Sequence, residues 1–392
     1  MGLLTMLALA WLLSSSKRSI PWRVVLMGLG LQFLFGLFIL RTRVGFFIMD
    51  RVRLFFDHLL AFSDAGAEMA FGPTFRDHFF AFSVLSTIIF ISSLMAILFY
   101  LGVIQKIVAA LSWVMTRSMN VSGTESLAAS ANVFIGQTEA PLVIKPYIAS
   151  MTQSEILALM TGGMATVAGG VLAAYVSFGA DAGHLLAASV MSAPASLLIA
   201  KLILPEKELS VSKGSLQIKL ERSDKNILDA ACRGASEGLK LGLNVLAMLI
   251  AFVALAALLN GALSIFPQVG GAPLSFERIL GFFFTPIAWL IGVDAQDSAI
   301  VGQLLGKKMF LNEFLAFVDL RDLRDSISPR SFTLATYALC GFANFASIAI
   351  QIGGISALVP ERRQDLARLG FKAMLGGTLA ANMTACIAGI LI

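Results

Sequence analysis

The sequence predicts an all-α polytopic membrane protein with about eight transmembrane helices, two re-entrant hairpins, interfacial helices and an inverted repeat. Three observations predict it. Hydrophobic residues make up 57% of the chain and charged residues 14%, against about 25% charged in soluble domains, and mean hydropathy is +0.84. Apolar stretches of crossing length recur along the whole chain. Among them stand amides and a carboxylate, foremost Glu139 in the run Asn132-Val133-Phe134-Ile135-Gly136-Gln137-Thr138-Glu139-Ala140-Pro141. An ionisable group at membrane depth costs several kcal/mol unless it meets a partner, a cavity or an ion, so it marks a substrate or ion pathway. A polar surface turn between two helices is the alternative reading of the same residues.

Taken in order, the crossings fall over residues 2–13, 24–40, 79–104, 156–178, 185–204, 241–265, 332–358 and 369–392. The first resembles the core of a signal peptide. No basic residue precedes it, however, and Lys17 and Arg18 follow it, which predicts a short span with its amino end outward. After the second span, Arg41, Arg43, Arg51 and Arg53 interleave with Val44, Phe46, Phe47, Leu54, Phe55 and Phe56, the pattern of an amphipathic helix lying in the interface. Residues 125–150 and 279–317 are apolar but interrupted by Gly, Pro, amides and carboxylates, and are expected to form re-entrant hairpins. With the amino end outside, the loops after spans one, three, five and seven are cytoplasmic. They carry Lys17, Arg18 and Arg23; Lys106 and Arg117; Lys207, Lys213, Lys219, Arg222 and Lys225; and Arg362, Arg363 and Arg368. The arginines after span two are the exception. Both termini then lie on the outer side, and residues 206–225 read as a solvated loop with no chemistry.

Under this topology the hairpins enter from opposite faces, and each is followed by two spans. The chain divides into an amino-terminal scaffold (1–115), a first transport repeat (116–205), a charged loop with a long scaffold span (206–275) and a second repeat (276–392). The first span after each hairpin is interrupted, by Gly162, Gly163, Gly169 and Gly170 in one and by Gly341, Asn344 and Ser347 with Gly353 and Gly354 in the other. Broken helices free carbonyls and amides for a ligand at mid-membrane. Close helix packing explains Gly353 and Gly354 equally well.

Other function classes fit less well. The net charge of +5 and pI near 9.2 come from basic residues scattered between spans, not from one basic face, so no nucleic-acid partner is expected. Cys232, Cys340 and Cys386 are isolated, without disulfide or zinc spacing. His58, His78 and His184 lie far apart near span ends. An enzyme would need a nucleophile or metal cluster, and a channel would need pore-lining polar rings. Lys145, Lys307 and Lys308 read as side chains snorkelling to an interface.

Three motifs remain: Gly136-Gln137-Thr138-Glu139-Ala140-Pro141, Asn312-Glu313-Phe314 and Asn344-Phe345-Ala346-Ser347. In this order and at these separations they resemble the bacterial concentrative nucleoside transporters, and the resemblance covers essentially the whole chain. It implies a homotrimer in the lipid of a bacterial inner membrane, each protomer with its own pathway. It also implies nucleoside import driven by sodium, or alternatively by protons taken up through Glu139 or Glu313, with no cofactor beyond the coupling ion. By resemblance, Gln137, Thr138 and Glu139 face the base, while Glu313, Asn344 and Ser347 take the ribose hydroxyls. Val171 and Phe342 would wall the base, although ordinary packing explains them equally. Asn132 and Thr166 match the family's sodium site by side-chain oxygen, Ile135 and Val167 by backbone carbonyl. The chemistry is consistent: a neutral nucleoside needs directional hydrogen bonds, and a carboxylate accepting hydroxyl donors makes charge-assisted ones. Met309, Phe317, Ala346 and Ala349 stand where the family commonly has Thr, Tyr, Ser and Gly, and these departures bear on base and sugar selectivity.

Overall fold

Half of the α-helices among the described residues begin at a residue whose side chain caps them. Thr42, Ser122, Thr152, Asp181, Asn226, Ser275, Asn312, Ser328 and Asn344 each accept a hydrogen bond from a first-turn backbone amide, and Ser122 with Glu125 and Thr152 with Glu155 form complete capping boxes. The computed structural model describes residues 1–212, 224–268, 271 and 273–392. Lys213, Lys219 and Arg222, and the side chain of His78, lie outside the described residues.

Among those residues the chain is helical and has no β-strand. The elements are α1 (Gly2–Leu12), α2 (Trp22–Arg41), α3 (Arg43–Phe71), α4 (Leu85–Tyr100), α5 (Val103–Met119), α6 (Gly123–Ile135), α7 (Ala140–Val143) and α8 (Lys145–Ile148). Next come α9 (Gln153–Ala165), α10 (Gly169–Ser177), α11 (Ala182–Ile203), α12 (Ile227–Leu263) and α13 (Phe276–Ile291). The remainder are α14 (Ser298–Phe310), α15 (Glu313–Asp322), α16 (Pro329–Leu339), α17 (Phe345–Leu358) and α18 (Arg363–Leu391). Among the described residues six segments are long and apolar enough to cross a membrane, and the shorter apolar helices Gly2–Leu12 and Phe345–Leu358 fall in the other two of the eight expected spans. The predicted interfacial helix is α3, which exposes Phe46, Phe47, Phe55 and Phe62 and buries Gly45, Leu59, Ser63 and Ala67.

One order of elements occurs twice. The series α4, α5, α6, α7–α8, α9, α10, α11 is matched by α12, α13, α14, α15, α16, α17, α18. A left-handed residue, Asn120 or Gly292, joins the second and third members of each series. Two expectations are corrected by this. Lys106 and Arg117 sit on helix α5 and not in a loop, because α4 ends at Tyr100 and Gly102 turns the chain into a new amphipathic helix. The region 279–317 is not one hairpin. It comprises α13, most of which precedes the reversal, then α14 and the start of α15, with the hairpin turn at Leu311 and Asn312. Helices α4 and α12 cross closely at a stripe of small residues. A Cβ on Gly234 would lie 2.6 Å from the Ser92 carbonyl oxygen, and one on Gly238 2.8 Å from Ile89 Cα.

Residues 206–212 are not a free solvated loop. Glu206 accepts from Lys201 Nζ (3.0 Å) and Thr152 Oγ1 (2.8 Å), and Ser210 and Ser212 bond Glu155 (2.5 Å) and Thr124 (2.8 Å) respectively. Lys201, on α11, also pairs with Glu125 on α6 and donates to Ser154 Oγ on α9 (2.9 Å). Lys201 and Glu125 are buried, so each depends on the other for charge compensation. Burial alone would raise the Glu206 carboxyl, but the Lys201 charge and hydrogen bonds override it and hold it below the usual range. The stability this gives is present at neutral pH and is lost as pH falls through the folded value.

Lys201→Met leaves Glu125 buried without its cation and should destabilise the purified protein by about 3–5 kcal/mol. Thermal unfolding in detergent checks this, and Glu125→Gln in the same chain should recover most of the loss.

Candidate functional site

Four interruptions of the helical backbone converge. The first follows α6, where Gly136 adopts φ 81°, and the second follows α9, where Thr166 is extended before α10. The third is the turn at Leu311 and Asn312, and the fourth runs from Cys340 to Asn344, with Gly341 at φ 145°. A Cβ on Gly136 would lie 2.7 Å from Ala168 Cβ, and one on Gly341 would lie 2.9 Å from the Met164 carbonyl oxygen. Both glycines combine a positive φ with an approach that no side chain tolerates. The third break is tied in by Asn344 Nδ2, which donates to Glu313 Oε2 over 2.7 Å.

Around that junction the polar groups are paired. Glu313 is the first residue of α15, buried, and placed where a helix N-terminus favours a negative charge. Asn344 works at both ends: Nδ2 bonds Glu313, while Oδ1 caps α17 by accepting from the Ser347 amide (2.8 Å). Gln137, in the first break, donates from Nε2 to Ser347 Oγ (3.3 Å) and accepts at Oε1 from Gln351 Nε2 (3.0 Å). The structure therefore brings Gln137, Glu313, Asn344 and Ser347 together across both repeats. Val171, on the first turn of α10, and Phe342, within the fourth break, are buried. Thr138 lies beside Gly354 of α17, where a Cβ would come 3.6 Å from its Cγ2, an ordinary packing contact. Gly353 has open space around it.

Glu139 is placed differently. It is exposed and makes no hydrogen bond to the other four, and its charged neighbours are Glu237 and Arg233 of α12. Arg233 is itself held by Asp224 and Glu237. Lys308 does not snorkel: it is buried, and Nζ donates to the Ala338 carbonyl (2.8 Å) at the end of α16, where the break leaves carbonyls without helical partners. Lys307 reaches Asp319 at 2.5 Å on the outside of the same hairpin. Sequence reasoning missed Gln351 and Tyr175. Tyr175 is buried, faces Glu313 and stacks on Phe317 with ring centroids 4.1 Å apart. The signal for Gln351 was an amide one turn beyond Ser347 in an apolar helix.

A second polar group of residues lies beside the first and second breaks. Asn132 is buried on the last turn of α6 with neither side-chain atom hydrogen-bonded to protein. A Cβ on Gly162 would lie 3.5 Å from Asn132 Nδ2, and the Gly162 carbonyl accepts from Thr166 Oγ1 (2.9 Å), so Gly162 links the two residues. Ile135 closes α6, and Val167 is buried within the second break. The cavity of about 410 Å³ lined by Arg41, Asp50, Arg53, Asp181 and His184 contains none of these residues.

Paired hairpins, interrupted spans and a polar junction between duplicated halves define a membrane-embedded fold of the secondary-transporter type. The chain belongs to the Na+ dependent nucleoside transporter family: the family's C-terminal model matches residues 184–389, its N-terminal model residues 1–74, and a nucleoside-recognition Gate model residues 81–182. It is 46% identical over 407 residues to solute carrier family 28 member 3 of Mus musculus, covering 100% of this chain and 58% of that protein. To sodium/nucleoside cotransporter 1 of Mus musculus it is 42% identical over 411 residues, covering 100% of this chain and 63% of the relative. The chain thus spans about three-fifths of these curated relatives. Among solved structures, CNTnw in an inward-facing substrate-bound state superposes with a TM-score of 0.92 at 38% identity, over 100% of this chain and 96% of that one. A CNTnw variant in an intermediate state gives 0.93 at 37% identity, over 100% and 98%.

Asn344→Ala removes both the donor to Glu313 and the cap of α17. It should lower stability by about 1–3 kcal/mol, read as a shift of the thermal unfolding midpoint in detergent.

Proposed function

We propose that the chain is an ion-coupled secondary active transporter that imports nucleosides by symport, with sodium as the coupling ion. One observation carries the reading: Gln137, Glu313, Asn344 and Ser347 meet through hydrogen bonds where the breaks of both repeats converge. That junction offers amide donors, a hydroxyl and a carboxylate, which suits a neutral solute bearing hydroxyls and a heterocyclic edge. Glu313 and Asn344 are assigned to the ribose with Ser347. Gln137, Thr138 and Glu139 are assigned to the base, with Val171 and Phe342 as its apolar walls. Thr138 and Glu139 are open to approach, so in this reading they complete the site from the hairpin side.

The sodium site is assigned to the side chains of Asn132 and Thr166 and the carbonyls of Ile135 and Val167. The unpartnered amide of Asn132 supports this, because a buried Oδ1 with no donor is a ready ligand for a hard cation. Thr166 Oγ1 spends its proton on Gly162 and keeps its lone pairs. The second reading is a proton-coupled symporter of nucleosides or another small polar solute, in which Glu313 at the junction, or Glu139 beside it, takes up the proton, and the buried carboxylate of Glu313 favours it. On the motif resemblance, the protein is proposed to work as a homotrimer in a bacterial inner membrane, and on the basic residues of its loops, as multi-pass with both termini outside. The exposed apolar faces of α3 and α12 suit lipid or neighbouring copies.

Radiolabelled uridine uptake into proteoliposomes tests the reading, with an inward sodium gradient in one arm and an inward proton gradient in the other. Accumulation is expected in the sodium arm. Uptake in the proton arm alone overturns the ion assignment, and uptake in neither overturns the substrate. Glu313→Ala should weaken apparent nucleoside affinity by about 2–4 kcal/mol or abolish uptake. Asn132→Ala should raise the sodium concentration for half-maximal uptake while leaving the protein folded.

A further inference from the structure

We propose that Gln351 is a positioning residue that fixes which end of the Gln137 amide faces the substrate, and so makes the site select bases that present an acceptor there. The inference rests on the transport reading above and extends it to base choice.

Gln351 is 1% exposed. A single atom, Nε2, bonds both the Met160 carbonyl oxygen (3.1 Å) and Gln137 Oε1 (3.0 Å). A backbone carbonyl only accepts, so the end of the Gln351 amide facing Met160 must be the NH2 group. Its two hydrogens match two acceptors. Toward Gln137 it can offer only a hydrogen, and Gln137 must answer with its oxygen. The NH2 of Gln137 is then turned to Ser347 Oγ (3.3 Å), with one N–H left for a ligand. Gln351 Oε1 has no protein partner, so the orientation is set from the Met160 side.

Packing removes the alternative rotamers. A Cβ on Gly163 would lie 2.6 Å from Gln351 Nε2 and 2.8 Å from Gln137 Cβ, so the two amides are pressed against the α9 backbone. Gln137 is itself 8% exposed. A flip of the pair would place Gln351 oxygen against the Met160 carbonyl oxygen, two acceptors with no proton between them. The chain Met160, Gln351, Gln137 therefore relays the polarity of a backbone carbonyl to the substrate face.

Reversing that polarity tests the assignment. In Gln351→Glu the buried carboxyl takes up one proton, which the Met160 carbonyl oxygen claims, so only lone pairs are left toward Gln137, which must turn its NH2 inward and present Oε1 to the base. Uridine has a carbonyl where cytidine has an amino group, and the ratio of their KM values in sodium-driven proteoliposome uptake reads the change. Relative to wild type, Gln351→Glu should shift the ratio toward cytidine by about tenfold, the equivalent of one hydrogen bond exchanged. Gln351→Met, which keeps the volume but neither polarity, should move the ratio toward unity. Gln351→Met also decides the matter if Gln351→Glu does not fold. Nucleoside uptake by both wild type and Gln351→Met, with the ratio unchanged, overturns the assignment alone. No nucleoside uptake by wild type overturns the transport reading and this inference with it.

Discussion

A buried helix end must find partners for its backbone, and this chain places four of them in one location. Each break frees carbonyls or amides that lipid cannot satisfy, so the breaks pack on one another and side chains cap their ends. Gly136 sits on Ala168, and Gly341 on the Met164 and Ala165 carbonyls. Asn344 joins the second hairpin through Glu313, and Lys308 covers the Ala338 carbonyl. The hairpins can stop short of a full crossing because each tip docks on the interruption of another helix. Much of the rest of the structure holds those ends in register. The crossing of α4 on α12 does so from outside, and the Lys201 network does so at the bases of α6, α9 and α11.

That constraint also produces the chemistry. A continuous helix hides its backbone polarity, whereas a broken one presents it at mid-membrane together with the side chains that cap the new ends. Asn344 illustrates the economy, since one amide caps α17 and binds the carboxylate beside it. The polar residues of the junction are thus parts of the fold as well as of the site, and a substrate that exchanges hydrogen bonds with them acts on the contacts between the two repeats. Coupling follows the same logic. In the proposed reading Asn132 and Thr166 lie beside the ends of α6 and α9, and Gln137, just after α6, reaches Met160 of α9 through Gln351, so a cation and a solute would bear on the same two helices.

Much of the architecture was legible because crossing length and hydropathy are local properties. The eight spans, the two interrupted ones and the amphipathic α3 came directly from residue pattern. Helix α5 looks like a loop in sequence because Gln105, Lys106 and Arg117 dilute its hydropathy, and α13 looks like part of a hairpin because Phe282, Phe283 and Trp289 make it apolar on its outer face. These are the same element of the two repeats read in opposite ways. Of the site, Gln137, Glu313, Asn344 and Ser347 were named in advance, and the structure joins them. What sequence could not give was pairing at a distance. Gln351 and Gln137 are 214 residues apart, and Lys201 finds Glu125 on another helix altogether. Lys308 departs from expectation for the same reason: a lysine near a helix end ordinarily snorkels, and only the placement of the α16 break brings the Ala338 carbonyl to it.

If one junction holds a nucleoside and a sodium ion together, as proposed, the two must bind cooperatively. Uridine titrated calorimetrically into the purified protein, in sodium and again with choline in its place, measures that linkage. Uridine should bind more tightly as sodium rises, and Asn132→Ala should remove this dependence while weak binding persists. Equal uridine affinity in sodium and choline would rule the shared junction out.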